Sequence, residues 1–219
     1  MWAQTSLRGE QGGRVLLVTA HPDDETLFFG PLILSAPLNT FILCLSTGDY
    51  YGLGRERTEE LFAASQYLGV PRDQVRIVDH PDCRDGMNTH WSLLVICQSV
   101  EQFILEIQPS LVVSFDEYGV SGHVNHIDVG RGVQQVKSRL AETHPHIIFL
   151  KLKSCFLLQK FIGLIDIWIS MMCEEHVVLN FNLWRLLCAL WLHRTQITWY
   201  RVLFVIFSKF TYVNTFKEF

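Results

Sequence analysis

The sequence predicts an α/β fold built on a mostly parallel sheet, with an apolar C-terminal extension. Two observations carry that reading. Through residue 145, short apolar runs alternate with amphipathic stretches, which is the pattern of βαβ units. Charged, histidine-bearing segments also follow closely on two of those runs, and the carboxyl ends of strands are where open α/β sheets bind their ligands.

Taken in order, Val15–Thr19 is the first strand, an apolar run suited to burial on both faces. A helix follows from about Asp24 into Leu34, with Pro31 as a kink and Pro37 beyond its end. Phe41–Leu45 is the second strand, and it opens into Ser46–Gly54, a loop rich in glycine and polar residues. The second helix runs from about Arg55 to Leu68 and stops at Gly69, with Pro71 past it. Val75–Val78 is the third strand. A polar loop, His80–His90, then leads to a helix from about Ser92 to Gln108. Leu111–Phe115 is the fourth strand, its charged loop leads to a helix of roughly Asn125–Leu140, and a further strand starts near Ile147.

The 219 residues suit a single domain, 1–219, with a core of 1–145 and an apolar lobe of 146–219 marked off by composition alone. A net charge of −4 leaves no basic footprint for nucleic acid. The six cysteines form no C-x-x-C pair and read as reduced and mostly core, which suits the cytosol or a cytosolic face. Met1–Arg14 is polar and shows no signal peptide. Beyond Ile147 the chain is crowded with Phe, Leu, Ile and Trp. Charges such as Lys160, Asp166 and Arg185 interrupt it, so no uncharged run reaches the roughly 20 residues a spanning helix needs. The candidate Phe161–Cys173 is short and contains Asp166. Either this region is the core of a lobe or it rests on a membrane, and the aromatic and basic tail Trp199–Phe210 suits both.

The chemistry centres on His21-Pro22-Asp23-Asp24-Glu25, just past the first strand. One aspartate could cap the following helix, which leaves the other unexplained. His123 and His126 lie past the fourth strand at a spacing that puts both rings on one side of a helical turn. Strand ends distant in sequence are neighbours in a doubly wound sheet, so His21, Asp24 and His126 can converge. Two histidines and a carboxylate are a familiar catalytic zinc set, and Asp23 would remain free as a base. His80-Pro81-Asp82 repeats part of the first motif but has Cys83 where a second aspartate would stand, and reads as a surface loop. His90, His144, His146 and His176 have no ligand-like partnership. Arg57 could simply pair with Glu60 on one helix face, His193 could serve a helix end or a site, and Glu25 has no assigned role.

Three stretches carry a resemblance: Ala20-His21-Pro22-Asp23-Asp24-Glu25, Arg57-Thr58-Glu59-Glu60, and Gly119-Val120-Ser121-Gly122-His123-Val124-Asn125-His126. With them the chain resembles the PIG-L/LmbE-like zinc de-N-acetylases, and among these the eukaryotic branch, which His193-Arg194-Thr195-Gln196 and the aromatic tail also resemble. The resemblance implies a Rossmann-like three-layer sandwich. It implies hydrolytic removal of acetate from N-acetylglucosaminyl-phosphatidylinositol in GPI-anchor synthesis, at the cytosolic face of the endoplasmic reticulum membrane. It matches His21, Asp24 and His126 to the ligands of Zn2+ or another divalent metal, Asp23 to the general base, a protonated His123 to the stabiliser of the transition state, and Arg57 to a substrate contact. Bacterial members commonly have Asp where this chain has Asn125, and the eukaryotic enzyme usually begins with a membrane-spanning segment that this sequence does not show. The alternatives are a soluble deacetylase of another N-acetylated amino sugar and a catalytically silent, membrane-associated subunit.

Overall fold

The computed structural model describes residues 13–156, 167, 170–172 and 176–219; residues 1–12 and most of the Phe161–Cys173 stretch lie outside them. Five strands run parallel: β1 (Val15–Thr19), β2 (Thr40–Cys44), β3 (Val75–Ile77), β4 (Leu111–Phe115) and β5 (Ile148–Leu152). β6 (His176–Leu179) and β7 (Val213–Glu218) join antiparallel, in the order β3-β2-β1-β4-β5-β7-β6. The chain winds from β1 outward through β2 to β3, then returns to place β4 on the other side of β1. That reversal opens a crevice at the carboxyl ends of β1 and β4. Val15–Leu17 pair in register with Leu111–Val113, so the segments leaving these two strands emerge side by side.

All five residues of β1 and of β4 are buried, in keeping with central strands covered on both faces. Leu16, Leu17, Phe29 and Phe115 are among the largest fully buried side chains, each contributing about 1.5–3 kcal/mol of transfer free energy. The covering helices are α1 (Asp24–Leu27), α2 (Gly30–Ser35), α3 (Gly54–Leu68), α4 (Leu93–Ile107), α5 (Gly119–Gly122), α6 (Val124–Leu140), α7 (Leu183–Leu192), α8 (Trp199–Phe207) and α9 (Lys209–Tyr212).

The single helix expected from Asp24 to Leu34 is two, broken at Phe28 and Phe29. Pro31 is not the kink. It sits in the first turn of α2, where a missing N–H costs nothing. The break lets both rings pack inward, Phe29 edge-on to Phe115 at 5.2 Å and Phe28 against Phe204 and Phe210. Other strand and helix boundaries differ from the expected ones by a residue or so.

β5, β7 and β6 continue the same sheet, and β7 is tied back to its start. The Asn214 side chain accepts from the Leu32 N–H at 3.2 Å and donates to the Phe28 oxygen at 2.8 Å. α7 packs on α3, and α8 buries Val205 while Trp199, Tyr200, Leu203 and Phe207 stay exposed. Among the described residues no helix is long and apolar enough to cross a membrane, and the described cysteines are all free.

Candidate active site

His21 and Asp24 leave the end of β1, and His126 leaves the first turn of α6 beyond β4. The imidazoles of His21, His123 and His126 bring ligand atoms within 4.8 Å of one another, and Asp24 Oδ1 lies 3.2 Å from His126 Nε2. Hydrogen bonds decide which ring nitrogens face this point. The Asn125 amide N–H donates to the Thr89 oxygen at 2.7 Å, so its Oδ1 is the acceptor that His21 Nε2 meets at 3.1 Å. His21 Nδ1 is thereby turned toward Asp24 Oδ2, 3.8 Å away. His126 Nδ1 donates to the Gly119 oxygen at 3.1 Å, which leaves the Nε2 lone pair facing the Asp24 carboxylate.

A lone pair opposite a carboxylate oxygen at that distance needs a cation or a proton between them. The donor set therefore fits a divalent metal held by nitrogen and oxygen. Asp24 Oδ2 accepts the N–H groups of Ala20 and His21 at 3.0 and 2.8 Å, which reserves Oδ1 for that role. Burial would raise the Asp24 pKa, but His126 and His21 hold it well below the usual carboxylate range. The His126 ring is clamped by stacking on Phe115, 4.3 Å between centroids. Gly119 must be glycine. Its φ is +63°, and a Cβ there would meet His126 Cβ at 2.8 Å.

Asp23 stands at the N-cap position of α1 with φ +111°, left-handed for a residue with a side chain, but its carboxylate makes no capping hydrogen bond. Burial pushes its carboxyl up, as does Asp24, against the opposing charges of Arg201 and Arg57. Arg201 Nη1 lies 3.0 Å from Asp23 Oδ2 as an ion pair without hydrogen-bond alignment, so that oxygen keeps its lone pairs.

His123 is where the structure departs from the expectation of an imidazolium. Half-burial, with His21 and His126 beside it, pushes its pKa down to about 4, so the ring is neutral at pH 7. Nδ1 accepts the Asn125 N–H at 3.3 Å, which makes Nε2 the N–H donor. The ring sits 4.9 Å from that of His126 and lines the same cavity.

Arg57 lines the cavity too; its two terminal nitrogens are engaged by the protein, while Nε has no partner. Nη1 donates to the Gly48 oxygen at 2.7 Å and to Asp85 at 3.0 Å, and Nη2 to the Pro22 oxygen at 2.9 Å and Gln196 Oε1 at 2.6 Å. It thus joins the loops after β1, β2 and β3 to the segment after α7, and it does not pair with Glu60. Glu60 instead accepts from the Thr195 N–H and hydroxyl, both at 2.7 Å. Two short motifs far apart in sequence, Arg57–Glu60 and His193–Gln196, therefore dock on each other.

Asp85 was missed by the sequence reading. It bridges Arg57 and His21 Nε2, at 3.0 and 3.3 Å, and these neighbours overcome burial to hold its pKa at about 2. The available signal was its place past the carboxyl end of β3. In the same loop His80 is half-buried and Pro81 and Asp82 are exposed, and the contact is local: His80 Nδ1 accepts the Asp82 N–H at 3.1 Å.

His21, Asp23, Asp24, Arg57, Asp85, His123 and His126 floor a cavity of about 900 Å³. Its outer wall is apolar, with Tyr200, Leu203, Phe204 and Phe207 of α8 and, from the loops, Tyr50, Tyr51 and Met87.

A family model described as PIG-L, GlcNAc-PI de-N-acetylase, matches residues 16–137 and so spans β1 through most of α6. The chain belongs to the PIG-L family. The family is one of amidases that remove acetyl groups, and this PIG-L member is an enzyme of that kind. It is similar to the N-acetylglucosaminyl-phosphatidylinositol de-N-acetylase of Bos taurus, 34% identical over 210 residues, covering 93% of this chain and 83% of the bovine protein. The Saccharomyces cerevisiae protein of the same name is 28% identical over 263 residues, covering 91% of this chain and 79% of the yeast protein. Among solved structures, N,N'-diacetylchitobiose deacetylase from Pyrococcus horikoshii superposes with a TM-score of 0.68 at 18% identity, over 95% of this chain and 84% of that one. GalB, a 4-carboxy-2-hydroxymuconate hydratase from Pseudomonas putida, superposes at 0.64 with 12% identity, over 94% of this chain and 95% of that one. A deacetylase and a hydratase share the PIG-L member's fold, so the fold by itself does not select the reaction.

Proposed function

We propose that this PIG-L member hydrolyses the acetamide of N-acetylglucosaminyl-phosphatidylinositol, releasing acetate in GPI-anchor synthesis, and that the whole chain, 1–219, acts as one domain. The observation that carries the reading is the cavity itself. Its floor gathers a metal-ligand set beside a carboxylate base, and its outer wall is apolar, as a sugar attached to a lipid requires. The names of the bovine and yeast relatives support the substrate.

His21, Asp24 and His126 would hold Zn2+ or another divalent metal, which when bound supplies a Lewis acid for the acetamide oxygen and for water. Asp23 takes the proton of the attacking water at its carboxylate and returns it to the amine nitrogen as the C–N bond breaks and acetate leaves; burial raises that group's proton affinity toward what such a base needs. His123 Nε2–H donates to the oxygen on which negative charge develops, and a neutral imidazole suffices for that. Arg57 and Asp85 keep the loops that floor the cavity in place, and Asp85 with Asn125 orients His21.

Membrane contact belongs to the same reading. α8 is apolar on both faces, buried at Val205 and exposed at Trp199, Tyr200, Leu203 and Phe207, and its one charge, Arg201, turns inward to Asp23. A lipid-linked substrate would be met at the cytosolic face of the endoplasmic reticulum. The test is elemental analysis plus acetate release from N-acetylglucosaminyl-phosphatidylinositol in vesicles. About one metal per chain with release is expected. Folded, metal-free, inactive protein would overturn the enzyme reading in favour of an interaction subunit. Equal rates on a water-soluble N-acetylated amino sugar would favour a soluble deacetylase.

A further inference from the structure

Glu25 and His193 take no part in the chemistry above, yet they form an ion pair whose side chains are both fully buried, with Glu25 Oε1 2.7 Å from His193 Nε2. Burying a carboxylate costs several kcal/mol unless it is paired, so something must offset its presence here. Its remaining partners are local. Oε1 also accepts the Thr26 hydroxyl at 2.6 Å, and Oε2 accepts the Asp23 backbone N–H at 3.0 Å.

That last bond reaches the strained residue. At φ +111° Asp23 is strained, and such strain persists only where the surroundings over-determine it. The Asp23 oxygen is held by the N–H groups of Thr26 and Leu27, at 3.1 and 2.9 Å, and its N–H by Glu25. His193 therefore acts on Asp23 through one carboxylate. It is itself fixed at the end of α7, where its N–H meets the Leu190 oxygen at 3.0 Å and its oxygen accepts the Gln196 N–H at 2.9 Å. Neither Glu25 nor His193 lines the cavity.

We propose that Glu25 and His193 are a positioning pair, which holds Asp23 in its left-handed conformation and so aims its carboxylate into the cavity. The inference rests on the reading of Asp23 as the base. It gives His193, at the end of α7, a part in the reaction without contact with substrate.

The test compares His193→Leu, which removes the donor, with His193→Gln, whose amide N–H can still reach Glu25. For His193→Leu, kcat is expected to fall about 10–100-fold while KM stays within about twofold and metal content is unchanged. His193→Gln should recover most of the loss. Unchanged kcat in His193→Leu, parallel losses of kcat and bound metal, or no advantage of Gln over Leu would each overturn the proposal. Crystal structures supply a readout independent of turnover. Asp23 is expected to leave the left-handed region in His193→Leu and to keep it in His193→Gln, and an unmoved Asp23 in both would refute the pair's role. A wild-type protein that releases no acetate would sink the proposed reaction, while the Asp23 backbone would still decide this inference. Should His193→Leu not fold, Thr26→Val removes the other donor to Glu25 Oε1 and is read in the same two ways, with a smaller drop expected.

Discussion

Arg201 Nη1 stands 3.0 Å from Asp23 Oδ2, so a guanidinium carried by α8 faces the carboxylate that α1 presents to the cavity. The same nitrogen donates to the Gln196 backbone oxygen at 2.8 Å, which fixes the charge in place. Arg201 thus tunes Asp23 electrostatically and leaves its lone pairs free.

The pH dependence follows from that contact. Burial raises the Asp23 pKa and Arg201 opposes the rise, so Arg201→Gln raises it further. The ionised carboxylate is the active base, hence the acid limb of kcat/KM moves to higher pH in the variant. Arg201→Lys, which keeps the charge, should move it less. A pH–rate profile shifted the other way would contradict the assignment.

The adjacent aspartates should separate cleanly. Asp23→Asn is expected to lower kcat by about 10²–10⁴ with metal content intact. Asp24→Ala should instead lose metal, and Asn125→Ala, which frees His21, should weaken metal affinity by about 10–100-fold. Titration with a competing chelator distinguishes the three; identical behaviour of the two aspartate variants would contradict the division of labour.

Arg57 ties four segments together from a buried position, and its loss leaves Asp85 facing His21 alone. Arg57→Ala is expected to destabilise the fold by about 3–5 kcal/mol, measured by denaturant unfolding.

Asp85 adds a pH signature to stability. Its folded pKa of about 2 lies below the ordinary carboxylate value, so its contribution is present above the unfolded pKa and is lost as pH falls through the folded one. Asp85→Asn should flatten the stability curve over that acid window, and an unchanged slope would show that the pair contributes nothing.

The outer face of α8 can be tested apart from the floor. Leu203→Glu with Phe207→Glu should reduce vesicle binding and turnover of the lipid-linked substrate. Both side chains are exposed, so thermal stability should hold within about 0.5 kcal/mol. Co-sedimentation with vesicles checks the first outcome, and undiminished sedimentation would remove α8 from membrane contact.

The legible parts of the chain were those whose signal is local. Val15–Thr19 and Leu111–Phe115 read as buried strands because they are short, apolar and bounded by polar turns, and both occur as expected. The carboxyl ends of these strands pointed to a site, and the sheet reversal between β1 and β4 brings His21, Asp24, His123 and His126 together. The break at Phe28–Phe29 was not legible, because it follows from where two aromatic rings find space in the core.

By itself, the sequence determined the α/β class, the central strands and the chemical types gathered after β1 and β4, since periodicity and residue type are local properties. Only the tertiary structure decided what Asp85, Glu25 and His193 do. Each is an ordinary charged or polar residue in its own neighbourhood. Their partners, His21 and Arg57 for Asp85 and one another for Glu25 and His193, lie tens of residues or more away and meet only in the folded chain. The same holds for the protonation of His123. A histidine's charge depends on burial and on the groups packed beside it, and spacing along a chain carries neither.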